Sequence, residues 1–123
     1  MVNKRIFVTF QRAGIHCYPE AGINPDLSSV AYLANPHRHM FHFKVSIDVM
    51  HNNREIEFIM FKEWLERLYS SNTLQLNNHS CEMIAEELYT KIQENYPERT
   101  VIIEVSEDGE NGAIITFNPS EEP

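Results

Sequence analysis

Residues 37–51 read HRHMFHFKVSIDVMH, an alternation of apolar and polar side chains that only an extended strand can satisfy over such a length. Successive side chains of a strand point to opposite faces, so His37, His39, Phe41, Phe43, Val45, Ile47 and Val49 share one side. Two imidazoles thus head an otherwise apolar face. Same-face neighbours stand roughly 6.5–7 Å apart at the backbone, and rings that converge beyond it can place two nitrogens on one metal ion. A third ligand must then come from elsewhere in the chain. Taken alone, an H-x-H pair also fits two solvent-facing histidines at a strand end.

The flanking sequence supplies partners for this strand. Residues 5–11 (RIFVTFQ) are rich in β-branched and aromatic side chains and predict a first strand closed by Gly14. Residues 13–36 carry three prolines and two glycines with little periodicity, which predicts a long loop holding His16 and ending at the H-x-H pair. Long ordered loops in small domains are often functional. His51-Asn52-Asn53-Arg54 is a polar turn signal that predicts a hairpin into residues 55–59. The period then changes. Phe61, Trp64, Leu65, Leu68 and Tyr69 recur at helical spacing with Lys62, Glu63, Glu66 and Arg67 opposite, which predicts an amphipathic helix. After a polar connection over 70–78, Ser80 is placed to cap a second helix whose buried face is Cys81, Ile84, Ala85, Leu88 and Ile92, with Pro97 as its stop. Residues 100–106 alternate again. Asp108-Gly109-Glu110-Asn111-Gly112 is a turn signal leading to a last strand over 113–117.

The predicted order, ββααββ, is that of an α+β domain in which a four-stranded antiparallel sheet carries two helices on one face. With 123 residues and 42% hydrophobic content the chain has the size and apolar content of one domain, residues 1–118, followed by an acidic tail at 119–123. Eighteen acidic residues against ten basic ones give a net charge of −8, which repels phosphate backbones and argues against nucleic acid as a partner. No apolar run reaches membrane-spanning length, and the opening residues lack the apolar core of a signal peptide. Cys17 and Cys81 have no C-x-x-C partner and suit a reducing compartment, so the expected location is the cytoplasm.

Three separated pieces together resemble the 6-pyruvoyltetrahydropterin synthase and 6-carboxytetrahydropterin synthase family, which has the tunnelling fold. They are the element order, the His37-Arg38-His39 opening of the second strand and an acidic residue in the last hairpin. The resemblance implies a zinc site, with His16 in the place of the family's first histidine and His37 and His39 in the place of its H-x-H. The family's P-T-x-E-N-x-A stretch, which starts its second helix, is similar to His79-Ser80-Cys81-Glu82-Met83-Ile84-Ala85. Its E-T, whose glutamate binds the ring edge of the pterin, is similar to Glu107-Asp108. The resemblance therefore implies Glu107 and Glu82 as ligand-binding residues and a homo-oligomer, trimer or hexamer, whose subunits join their sheet edges.

The chemistry of these positions is sound in its own right. Three neutral imidazoles leave zinc one open site, which can polarise a hydroxyl or carbonyl. Glu107 shares its face with Val101, Ile103 and Val105, and a carboxylate there could accept two parallel hydrogen bonds from the N–C–N edge common to guanine and pterin. Glu107 also fits a solvated turn, and Glu82 also fits an acid favoured by the helix dipole. The departures from the family concern proton transfer. Family synthases carry a cysteine just before the H-x-H, where this chain has Tyr32, Leu33, Ala34, Asn35 and Pro36. Their L-D-H-x-x-L-N segment aligns here with Ser71-Asn72-Thr73-Leu74-Gln75-Leu76-Asn77, so that Asn72 and Thr73 replace the Asp-His pair. Neither can act as a general base near neutral pH. Cys17, beside His16, is the candidate for a displaced thiol. Two expectations follow: a metal-binding protein that takes a pterin- or purine-like molecule without the synthase activity, or a metal-dependent carbon–oxygen lyase with a non-standard proton-transfer group.

Overall fold

The computed structural model describes residues 2–119, so most of the acidic tail lies outside the described residues. Its strands are β1 (Lys4–His16), β2 (His37–Val49), β3 (Thr73–Asn77), β4 (Val101–Glu107) and β5 (Asn111–Phe117); its α-helices are α1 (Phe58–Leu68) and α2 (Cys81–Asn95). The strands form one sheet in the order β3-β1-β2-β4-β5. The fold is α+β, as expected, but the sheet is five-stranded and mixed rather than four-stranded and antiparallel. β1, β2, β4 and β5 pair antiparallel in turn, while β3 runs parallel to β1. The added strand lies in the stretch taken as a polar connection, where Leu74 and Leu76 are buried and Gln75 between them is exposed. Two inward leucines are enough to seat an edge strand and too few to stand out as a pattern.

The helix-facing side of the sheet carries the core. Val8 and Phe10 of β1, the Phe41-to-Ile47 row of β2 and Val101, Ile103 and Val105 of β4 form one cluster with Phe61 and Leu65 of α1 and Ile84, Ala85, Leu88 and Ile92 of α2. The alternation on β2 is thus realised as read, with Phe41, Val45 and Ile47 fully buried. Helix boundaries also have local causes. The Ser80 hydroxyl accepts from the Met83 N–H at 3.1 Å and starts α2, as expected for an N-cap. At α1 the cap is Glu57, whose carboxylate accepts from the Ile59 and Met60 N–H groups. That cap claims residues 58 and 59 for the helix, which is why the hairpin expected over 55–59 does not form.

β1 runs five residues beyond the predicted end. Gly14 does not close it; a Cβ at that position would come within 2.8 Å of the Leu76 side chain and 2.9 Å of the Phe41 ring. Its missing side chain is what lets β3 and β2 close in around the strand. The continuation carries the chain to His16, which pairs with His37 on one side and, past a register shift, with Asn77 on the other. The long loop that follows contains two 3-10 segments, Pro19–Gly22 and Pro25–Ala34, each opened by a proline whose fixed φ suits a first turn. β4 and β5 meet at Asp108 and Gly109, both at positive φ (58° and 72°), the backbone of a tight hairpin turn.

Away from the histidine end, Glu55 and Arg99 tie the 50–57 loop to the start of β4 through a bidentate pair with contacts of 2.8 and 2.9 Å. Arg99, then the Met50 N–H, pull the Glu55 carboxyl from 4.5 down to about 2. A depressed carboxylate contributes stability that is fully present above its unfolded value and is lost as pH falls through its folded one. The pair's contribution is therefore expected to fade between pH 4.5 and about 2. Acid titrations of wild type and Glu55→Gln followed by circular dichroism check this: the wild-type advantage should shrink across that window, and a constant difference would rule the pair out.

Candidate metal centre

Three strand ends build the site. His16 is the last residue of β1, His37 and His39 open β2, and Glu107 closes β4 directly across from Phe41. All project on the helix-facing side of the sheet, where the apolar row of β2 gives way to polar side chains. A ring nitrogen of each histidine lies within 4.8 Å of the other two, so the three can hold a metal ion. The rings meet edge to face, with centroids 4.6 Å apart for His16 and His37, 4.9 Å for His37 and His39, and 5.4 Å for His16 and His39.

The second nitrogen of each ring is tied down. His16 Nδ1 donates to the His79 carbonyl at 3.0 Å, His37 Nδ1 to the Asn35 carbonyl at 2.8 Å, and His39 Nδ1 to Asp108 Oδ2 at 2.8 Å. A neutral ring that donates from Nδ1 keeps its lone pair on Nε2, the nitrogen left to bind a metal. The fit to an ion can be judged on the atoms left over. His16 Nε2 and His39 Nε2 are buried and make no aligned hydrogen bond among the described residues, the Glu107 carboxylate standing 3.0 and 3.6 Å from them. Buried polar atoms without partners are rare, and a cation would satisfy both.

Asp108 is the site residue that the sequence reading missed. At positive φ its carboxylate turns back to β2, taking the Met40 N–H at 2.9 Å on one oxygen and His39 on the other. The Met40 N–H first, and His39 second, hold its carboxyl below the usual range. In the sequence it stands in a D-G turn and beside Glu107, and neither place says which strand it faces. His79 lines the cleft, and its carbonyl is what orients His16.

A cleft of about 540 Å³ adjoins the histidines, walled by His16, His37, Cys17, Glu107 and the first turn of α2. Glu82 stands on that turn, exposed, and borders the cleft, while the capping of α2 falls to Ser80. Cys17 also borders it without joining the cluster of convergent donors. Cys81, at the cleft wall, has its thiol pushed up to about 11, chiefly by burial and then by the nearby charges of Glu107 and Glu82. Asn72 and Thr73 are not among the residues that line the cleft. His42 sits on the other face of the sheet, as its place in the alternation predicts. Among the described residues no helix is long and apolar enough to cross a membrane. No family model matches the chain, and no curated protein matches it.

Proposed function

We propose that the protein binds zinc or a similar divalent ion on His16, His37 and His39 and takes a pterin- or guanine-like ring into the adjoining cleft, without performing the synthase reaction of the family it resembles. The observation that carries this reading is the set of three imidazoles with their Nδ1 atoms engaged in hydrogen bonds and a ring nitrogen of each within 4.8 Å of the other two. Bound there, the ion would polarise a hydroxyl or carbonyl of the ligand. The cleft volume of about 540 Å³ falls in the ordinary range of small-molecule sites, roughly 300–1,000 Å³, and a two-ring heterocycle fits within it. Glu107, Glu82, Asn78 and Ser80 give its wall hydrogen-bonding groups.

The family's proton-transfer pair is replaced here by Asn72 and Thr73, neither of which acts as a general base near neutral pH. Cys81 is protonated at neutral pH, and a thiol without its thiolate is a poor nucleophile and base. Cys17, half-buried at the cleft edge, is the residue on which the second reading depends, that of a metal-dependent lyase acting on a pterin- or 7-deazapurine-pathway substrate. The reading includes a trimer or hexamer, because β3 and β5 each have one neighbour in the sheet and leave an edge to be paired. It also places the protein in the cytoplasm, where two free cysteines stay reduced.

Titration of the zinc-loaded protein with pterin and guanine, followed by calorimetry, tests the proposal. Binding is expected, and it should weaken in the metal-free protein. No heat with either ring would end the ring-binding reading. Turnover of the synthase substrates that is lost in Cys17→Ser would establish the lyase reading in its place.

A further inference from the structure

Glu107 stands closer to the histidines than a residue that only reads a ligand needs to. Its Oε2 is 3.0 Å from His16 Nε2 and its Oε1 is 3.6 Å from His39 Nε2. With Nδ1 of both rings donating elsewhere, the nitrogens that face Glu107 in the neutral rings carry lone pairs. Carboxylate oxygens opposed to lone pairs at such distances repel unless a cation lies between them. A proton on Nε2 would serve if it pointed along a hydrogen bond to the carboxylate. Neither nitrogen makes such a bond, although both are buried. A short contact that lies off the hydrogen-bond axis is what two ligands of one ion make with each other. Donors about 2.0–2.2 Å from a tetrahedral centre stand about 3.3–3.6 Å apart, so the observed 3.0 and 3.6 Å bracket the spacing of a shared ion.

We propose that Glu107 is the fourth protein ligand of the metal, so that the protein at rest holds its ion with three imidazoles and one carboxylate. This inference rests on the metal-binding reading above and deepens it. The carboxylate is presented by the sheet, since residue 107 pairs with Phe41 on one side and Asn111 on the other. Its chemical consequence is a site closed by four protein donors, whereas three histidines alone leave a position open. A ligand that brings its own oxygen or nitrogen to the ion must displace Glu107. The displaced carboxylate is then free to accept N–H groups from that same ligand, so Glu107 passes from the metal to the ring as the ligand takes its place on the ion.

The test is metal binding. Metal-free wild type, Glu107→Gln, Glu107→Ala and His37→Ala are titrated with zinc against a chromophoric chelator and with cobalt(II) followed by visible absorption. Both Glu107 variants are expected to lose at least about tenfold in zinc affinity, the scale seen for residues that support a metal site, and to shift the visible bands of four-coordinate cobalt as water takes the place of the carboxylate. Unchanged affinity and spectrum in both, with His37→Ala still losing the metal, would overturn the role of Glu107 and leave the three-histidine site standing. A wild type that takes up neither metal would overturn the metal reading and this inference together.

Discussion

Protein prepared without chelator or nickel is expected to carry about one zinc ion per chain, and His37→Ala/His39→Ala is expected to carry none. Three imidazole donors converge from two strands that are paired along their whole length, so the site is assembled by the fold and needs no rearrangement of the backbone. An ion that binds the native state alone stabilises it by mass action, by about 4 kcal/mol when free metal exceeds its dissociation constant a thousandfold. Added zinc should therefore raise the melting temperature of the wild type and leave that of the double variant where it was. Asp108→Ala should fall between them, because losing the carboxylate that orients a metal-bound histidine typically lowers affinity about 10- to 100-fold. Elemental analysis and calorimetry with and without zinc read all three. Metal-free wild type of ordinary stability, or equal metal in the double variant, would dismiss the site.

The largest expected loss of stability with a consequence for the site is at Phe41. Its side chain is fully buried, its ring meets His16 and His39 edge-on at 5.2 and 5.9 Å, and its backbone pairs with Glu107. Phe41→Ala should cost about 3–5 kcal/mol, the usual range for emptying a buried phenylalanine. The cavity would open under two metal ligands, so zinc affinity should fall with stability. Phe43→Ala supplies the comparison. Phe43 is as deeply buried and stacks on Phe10 at 4.6 Å, away from the histidines, so it should lose similar stability and keep its affinity per folded molecule. Denaturant melts and zinc competition on both variants separate the effects. Equal affinities in the two would show that the ring of Phe41 does not position the ligands.

Much of this architecture could be read from residue patterns that act locally. The alternation on β2, the helical spacing of Phe61, Leu65, Ile84 and Leu88, the Ser80 cap and the D-G turn each depend on neighbours within a few residues, and each is present in the structure. What escaped depends on partners far along the chain. Leu74 and Leu76 form a strand only because Gly14 leaves room for them beside β1. Arg99 gives Glu55 a partner 44 residues away and holds a loop where polar turn residues suggested a hairpin. The same division runs through the site. His37 and His39 could be named from their spacing on one strand and His16 from the family resemblance, whereas Asp108 acquires its role from a strand 68 residues away.

The pairing of His16 with His37 has a topological consequence. The twenty residues between them include the two 3-10 segments, and Ala21 is the one buried hydrophobic residue among them. A segment with one buried apolar side chain contributes little hydrophobic burial to offset the entropy of ordering it. An ion bound to both histidines joins the two ends of this segment in the folded chain, so that fraying of the segment from either end must first break a bond to the metal. In this protein the metal would serve as a clasp, and a loop with one buried apolar side chain would be fastened by the ion at its base.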